Sequence, residues 1–126
     1  MQLTSNIFHT QRKRAKKAGQ QLDYSLADLC AWVRHKLDTG DACWYCNQPL
    51  EVATFSVDHC EPISRGGNFL AINTVICCLS CNLAKHDLTH GEFVTLLACI
   101  GSWAEEPRKR FLARLRFGGN AFRPRR

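Results

Sequence analysis

Residues 73 to 86 read NTVICCLSCNLAKH. The run from Asn73 to Cys77 is short, apolar and β-branched, the composition of a buried strand. Cys78-Leu-Ser-Cys81 follows at once, with the spacing that sets two thiolates on one tight turn. Beyond Cys81, Leu83, Ala84 and Lys85 favour helix, and no Gly or Pro intervenes before about Leu88. Strand, metal-binding turn and helix are thus compressed into one stretch, and the rest of the chain is read from it.

A second turn of the same kind lies upstream at Cys43-Trp-Tyr-Cys46. Four sulfurs on two such turns can close a tetrahedral site around Zn²⁺, each at about 2.3 Å. Four reduced core cysteines would be the blander reading, but two matched pairs seldom arise together by accident. Cys77 adjoins Cys78 and competes with it for the role. Cys30, Cys60 and Cys99 fit no pattern and read as small buried apolar residues. The amino terminus, MQLTSNIFHT, has no secretory hydrophobic region, and no run approaches the roughly 18 apolar residues of a membrane span. The eight cysteines are therefore expected in a reducing, intracellular setting, as metal ligands rather than as a disulfide framework. A site with four thiolates has no open position for water, so the zinc is expected to be structural.

Between the two knuckles stands VDHCEPISRGGN, residues 57 to 68. Thr54 to Asp58 alternates polar and apolar, which predicts a strand with one buried face. Pro62 and Gly66-Gly67 mark the loop that returns the chain toward Asn73. An Asp-His pair at a strand end is by itself most often only a turn, and Asn73 or Asn82 alone would read as a turn residue or a helix cap. On either side, helices are expected. Ser25-x-x-Asp28 resembles a capping box before Leu26, Leu29, Cys30, Val33 and Leu37, with a stop at Gly40. Thr89-x-x-Glu92 precedes Phe93, Leu96, Leu97 and Ile100, with a stop at Gly101. Pro107 suits the first turn of a basic helix bearing Phe111 and Leu115, and Ala121 to Arg126 read as a disordered arm.

At 126 residues the chain is of single-domain size. Its charge is sorted along the sequence. Residues 1 to 20 carry five Lys or Arg and no acid, and residues 107 to 126 carry eight and no acid, whereas 21 to 106 hold all 11 acids and four bases. The expected division is a basic segment 1–20, a body 21–106 with its motif at 43–88, and a basic helix and arm 107–126. Basic blocks of this kind suit a polyanion, because each neutralised phosphate releases condensed counterions. Charged tails that only confer solubility are the alternative.

Taken in order, Cys43-x-x-Cys46, Val57-Asp58-His59, Pro62, Gly66-Gly67, Asn73 and Cys78-x-x-Cys81-Asn82-x-x-Lys85 resemble the HNH endonuclease family. The resemblance implies an α+β fold: a ββα-metal, treble-clef-like core with structural zinc, flanked here by further helices. It implies hydrolysis of DNA phosphodiester bonds, with double-stranded DNA as partner and no membrane, in a cytoplasmic protein of bacterial or phage type. Such a reaction needs an activated water, a sink for charge on phosphorus and help for the departing 3′ oxygen. His59 suits the general base, since its ordinary pKa near 6.5 leaves neutral imidazole at physiological pH. Asp58 and Asn82 offer hard oxygens to Mg²⁺, Mn²⁺ or Ni²⁺. By family analogy Asn73 hydrogen-bonds the His59 ring.

Many family members carry histidine where Asn82 stands, which opens the choice of metal. His86, four residues on along the proposed helix, is a further ligand or a solvated residue. Arg65 and Lys85 are candidate phosphate contacts, as are Arg108, Lys109, Arg110, Arg114 and Arg116 of the basic helix, although any of them suits plain surface charge. Two other classes fit parts of the chain: a zinc-stabilised nucleic-acid-binding module without catalysis, and a structural zinc domain. Neither requires Asp58, His59, Asn73 and Asn82 together.

Overall fold

The computed structural model describes residues 2–40, 42–46, 48–51 and 54–116. The element order is α1 (Gln2–Lys17), α2 (Leu26–Asp38), β1 (Phe55–His59), β2 (Thr74–Cys78), α3 (Leu79–Lys85), α4 (His90–Ile100) and α5 (Glu105–Arg116), with single 3₁₀ turns at Ile63–Arg65 and Ala71–Asn73. This is the expected α+β architecture. The arm expected over Ala121–Arg126 lies outside the described residues, as does the side chain of Arg116.

β1 and β2 form a two-stranded antiparallel sheet in which Val57 faces Ile76 and His59 faces Thr74. Successive side chains leave a strand on opposite faces. Phe55 and Val57 enter one core with Phe8 of α1, Tyr24, Leu29 and Val33 of α2, and Ile76. Ser56 and Asp58 turn to the other face, toward α3. There a second cluster gathers Cys43, Tyr45, Cys77, Cys81, Ala84 and Phe93. The sheet thus divides a helical core from a cysteine-rich one.

Both expected capping boxes form. The Ser25 side chain accepts from the Asp28 amide, and the Thr89 side chain from the Glu92 amide, each reciprocated. Two expectations need correction, and one element goes beyond them. The basic segment 1–20 carries a helix that its sequence hides: Thr4, Phe8, Gln11 and Ala15 form its buried face, and two of those four are polar. α3 starts at Leu79, capped by the Cys78 sulfur, and ends at Lys85 instead of near Leu88, because His86 takes φ 51°. Asn82 is consequently interior to the helix and does not cap it. Cys99, expected to be buried, is exposed.

The return loop depends on two glycines for different reasons. Gly66 caps the first 3₁₀ turn at φ 93°, a left-handed conformation that favours glycine. At Gly67 a Cβ would collide with the Glu61 carbonyl, so only glycine lets the two backbones cross there.

Candidate metal centre and hydrolytic cavity

The two knuckles meet. Ligand atoms of Cys43, Cys46, Cys78 and Cys81 all lie within 4.8 Å of one another, and the Cys46 and Cys78 sulfurs are 3.8 Å apart. Tetrahedral Zn–S bonds of about 2.3 Å require sulfurs about 3.8 Å apart, so the four thiols are placed to bind zinc. The Tyr45 amide donates to Cys43 Sγ and the Cys81 amide to Cys78 Sγ, both at 3.4 Å, the support a thiolate needs. A hydrogen bond from Cys81 holds Cys43 down to about 4, while the same shared proton raises Cys81. Cys77 is fully buried, its thiol pushed up by burial, and lies outside the cluster, which resolves its competition with Cys78.

The cluster also positions the neighbouring chemistry. Tyr45, inside the first knuckle, donates its hydroxyl to Asp58 Oδ2 at 2.6 Å. Lys85, one helical turn beyond Cys81, reaches the same oxygen at 3.0 Å and donates to the His59 carbonyl at 2.9 Å. Lys85 is 0% exposed. The expected phosphate contact is therefore an internal counter-cation, a correction forced by geometry: a buried ammonium is tolerated only when paired and hydrogen-bonded. Burial and then the Asp58 carboxylate push the Tyr45 phenol up, so it stays a donor. Both bonds to Asp58 fall on Oδ2. They fix the carboxylate and leave Oδ1 to other partners.

Asn82 is oriented as firmly. Its amide nitrogen donates to Ser56 Oγ at 2.6 Å and to the Val57 carbonyl at 3.3 Å. A carbonyl can only accept, which sets the nitrogen toward β1 and frees Oδ1. Asp58, His59 and Asn82 then line one cavity of about 250 Å³, together with His86, Asp87 and Arg14 of α1. Although the helix ends before it, His86 reaches this wall. Among the described residues the four cysteines are the sole group of three or more His, Cys, Asp or Glu ligand atoms close enough to share an ion. Asp58 and Asn82 each offer the cavity a hard oxygen, donors suited in type to Mg²⁺-like ions that keep waters.

His59 is 6% exposed and its ring meets Phe69 edge-on at 5.0 Å. Burial lowers its pKa, against the pull of Asp58 in the other direction, so the imidazole is neutral near pH 7. Nε2 is buried with no hydrogen-bond partner among the described residues. The expected bond from Asn73 to this ring is absent. Asn73 Oδ1 instead accepts from the Glu61 amide at 2.8 Å, and Nδ2 donates to the carbonyls of Glu61 and Asn68 at 3.0 and 2.9 Å. These three bonds to the backbone of the return loop use both amide N–H donors, so Asn73 pins the loop beneath His59 and donates nothing to its ring.

The basic candidates are dispersed. Arg65 is paired with Glu92 on the surface. In α5, Lys109 pairs with Glu105 at 2.8 Å and Arg108 donates to the Gly101 carbonyl at 3.4 Å, while Arg110 and Arg114 are exposed. Two residues at the site went unread in the sequence. Tyr45 was visible only as the filler of a metal turn. Arg14 stood in a basic block with no sign that a helix would bring it to the cavity.

Comparison of the chain with curated proteins gives no match. Residues 43–96 match the family model described as HNH endonuclease. That stretch holds both knuckles, the sheet and the cavity residues apart from Arg14.

Proposed function

We propose that the protein is a metal-dependent endonuclease that hydrolyses phosphodiester bonds of double-stranded DNA. The observation that carries the reading is the convergence of Asp58, His59 and Asn82 on one cavity, with an orphan histidine nitrogen beside two oriented oxygens. His59 is the general base: its neutral imidazole accepts a proton from the attacking water. Asp58 and Asn82, with His86 as a further ligand, hold a divalent ion such as Mg²⁺, Mn²⁺ or Ni²⁺. When bound, that ion supplies Lewis acidity for the phosphate and the departing oxygen. Tyr45 and Lys85 keep the Asp58 carboxylate in place. Asn73 positions the loop under His59. Arg14 lines the cavity wall, where a guanidinium can meet a phosphate oxygen in bidentate fashion. The flanking segments 1–20 and 107–126 add sequence-independent phosphate contacts, with Arg12, Lys13, Lys16 and Lys17 of α1 and Arg110 and Arg114 of α5 among the exposed basic residues.

The test is nicking of supercoiled plasmid with each metal in turn. Cleavage should require added ion and should fall about 10²- to 10⁴-fold in His59→Ala. DNA retention without cleavage under every metal would replace the nuclease with a binding module.

A further inference from the structure

We infer that the protein has a second nucleic-acid site, an aromatic groove on the far edge of the sheet that takes an unstacked base of a single strand. The inference goes beyond the nuclease reading and does not require it. With two strands in the sheet, β2 has one edge on β1 and one edge open among the described residues. The Cys60 amide donates to the Asn73 carbonyl, which sets the alternation of the ladder: Val75 and Cys77 bond toward β1, and Ile76 presents its N–H and C=O outward. Along that edge runs a groove of about 470 Å³ lined by Trp32, His35 and Lys36 of α2, Trp44 of the first knuckle, Ile72 and the Thr74–Ile76 backbone. This volume lies in the range of ligand sites, about 300 to 1,000 Å³.

Three of the large apolar residues that the fold leaves exposed gather here: Trp32 at 37%, Trp44 at 52% and Ile72 at 88%. Each indole is held by neighbours that leave it open. Trp32 leans on Tyr24 with ring centroids 5.1 Å apart. Trp44 donates its Nε1 to His90 Nδ1 at 3.2 Å, and the Lys36 ammonium lies 5.8 Å from its ring. Indoles fixed in this way lose little freedom on stacking, and stacking is how a protein holds bases regardless of sequence.

The unpaired edge by itself would equally suit an added peptide strand. Charge decides against it. The groove is lined by Lys36 and His35 and by no carboxylate, which complements a phosphate backbone, and a cation beside an indole reinforces base stacking. Outward backbone groups at Ile76 supply a donor and an acceptor to a base edge.

The experiment measures binding of fluorescein-labelled dT12, and of a 12-base-pair duplex, to the full-length zinc-loaded protein without other divalent ions. Trp32→Ala and Trp44→Ala should each weaken dT12 binding about five- to a hundredfold and change duplex binding less than about twofold. Because Trp44 sits between zinc ligands, a second pair of variants uses the exposed rim. Ile72→Lys should preserve or tighten dT12 binding by adding a phosphate contact, and Ile72→Glu should weaken it. Unchanged dT12 binding in well-folded tryptophan variants would overturn the site. So would equal loss in both Ile72 variants, or a concentration-dependent dimer that Ile72→Lys disperses, which would assign the groove to a second copy of the chain. Cleavage is not the readout, so failure here and failure of the nuclease reading are separate results.

Discussion

The four-cysteine cluster and the cavity beside β1 are built from the same two segments, and they differ in what they leave open. In the cluster, sulfurs from both knuckles face one another and fill a tetrahedron, with no position for water or substrate. In the cavity, two polar side chains each have one atom tied down and another turned to other partners. Asp58 is held by Oδ2, and Asn82 by its nitrogen. The first arrangement is suited to stability and the second to chemistry, and residues of the knuckles link them. Tyr45 leaves the first knuckle to reach Asp58, while Cys78 opens the helix that carries Asn82 and Lys85. The closed site is therefore the frame of the open one.

The largest effect should come from breaking the frame. Cys78→Ser, or zinc removal by a strong chelator, should unfold the knuckles and the cavity together. Structural zinc contributes about 10 to 16 kcal/mol of apparent free energy in small modules, and circular dichroism would register the loss. Survival of the proposed plasmid nicking after zinc loss would separate the two regions.

Next is the internal counter-cation. Lys85→Met leaves the buried Asp58 carboxylate without its partner and should lower stability by about 3 to 5 kcal/mol in urea unfolding. Adding Asp58→Asn should recover much of that loss while leaving cleavage abolished. If the double variant were no more stable than the single, the pair would not be coupled as described.

A smaller effect is expected at Gly67→Ala, where the new methyl meets the Glu61 carbonyl. Relief of an overpacked contact costs about 1 to 3 kcal/mol. The displaced loop is the one that Asn73 pins beneath His59, so cleavage should fall with zinc binding unchanged. Equal losses in zinc affinity and cleavage would blur the distinction.

The smallest effect lies at the surface. Glu92 has its pKa lowered first by the Thr89 amide and then by Arg65. A carboxyl with a depressed folded pKa binds fewer protons folded than unfolded near that pKa. Its contribution is present above about pH 4.5 and is lost as pH falls through the lowered value. Glu92→Gln should remove this part of the acid sensitivity of the melting temperature and leave the cysteine cluster and the cavity intact.

What the sequence made legible was local. Two Cys-x-x-Cys turns, a strand-end Asp-His pair and two capping boxes are each written within a few residues, and each forms. The site's support is written across distance. Tyr45 and Asp58 are 13 positions apart and Asp58 and Lys85 are 27 apart, so neither partnership leaves a periodic trace. Lys85 has the composition of a surface residue, and only its neighbours in space reveal that it is buried. Asn73 bonds the loop backbone and not the His59 ring, a choice its sequence position does not reveal because an amide fits a ring nitrogen and a backbone equally well. α1 stayed hidden because Thr4 and Gln11 interrupt the apolar face that would have announced it. Without that helix nothing in the sequence brings Arg14 to the cavity.

The ion pair of Lys85 with Asp58 has a consequence for how the protein waits between substrates. A cluster of carboxylates would repel itself until a divalent ion arrived, and the fold would then depend on that ion's supply. Here the acidic oxygen has a resident cation, and the carboxylate is at rest whether or not a metal is present. An arriving ion would meet a ligand already half neutralised, and would bind weakly and leave readily. The chain thereby keeps a standing shape with an idle site, so that in the proposed nuclease an ion would gate the reaction and not the architecture.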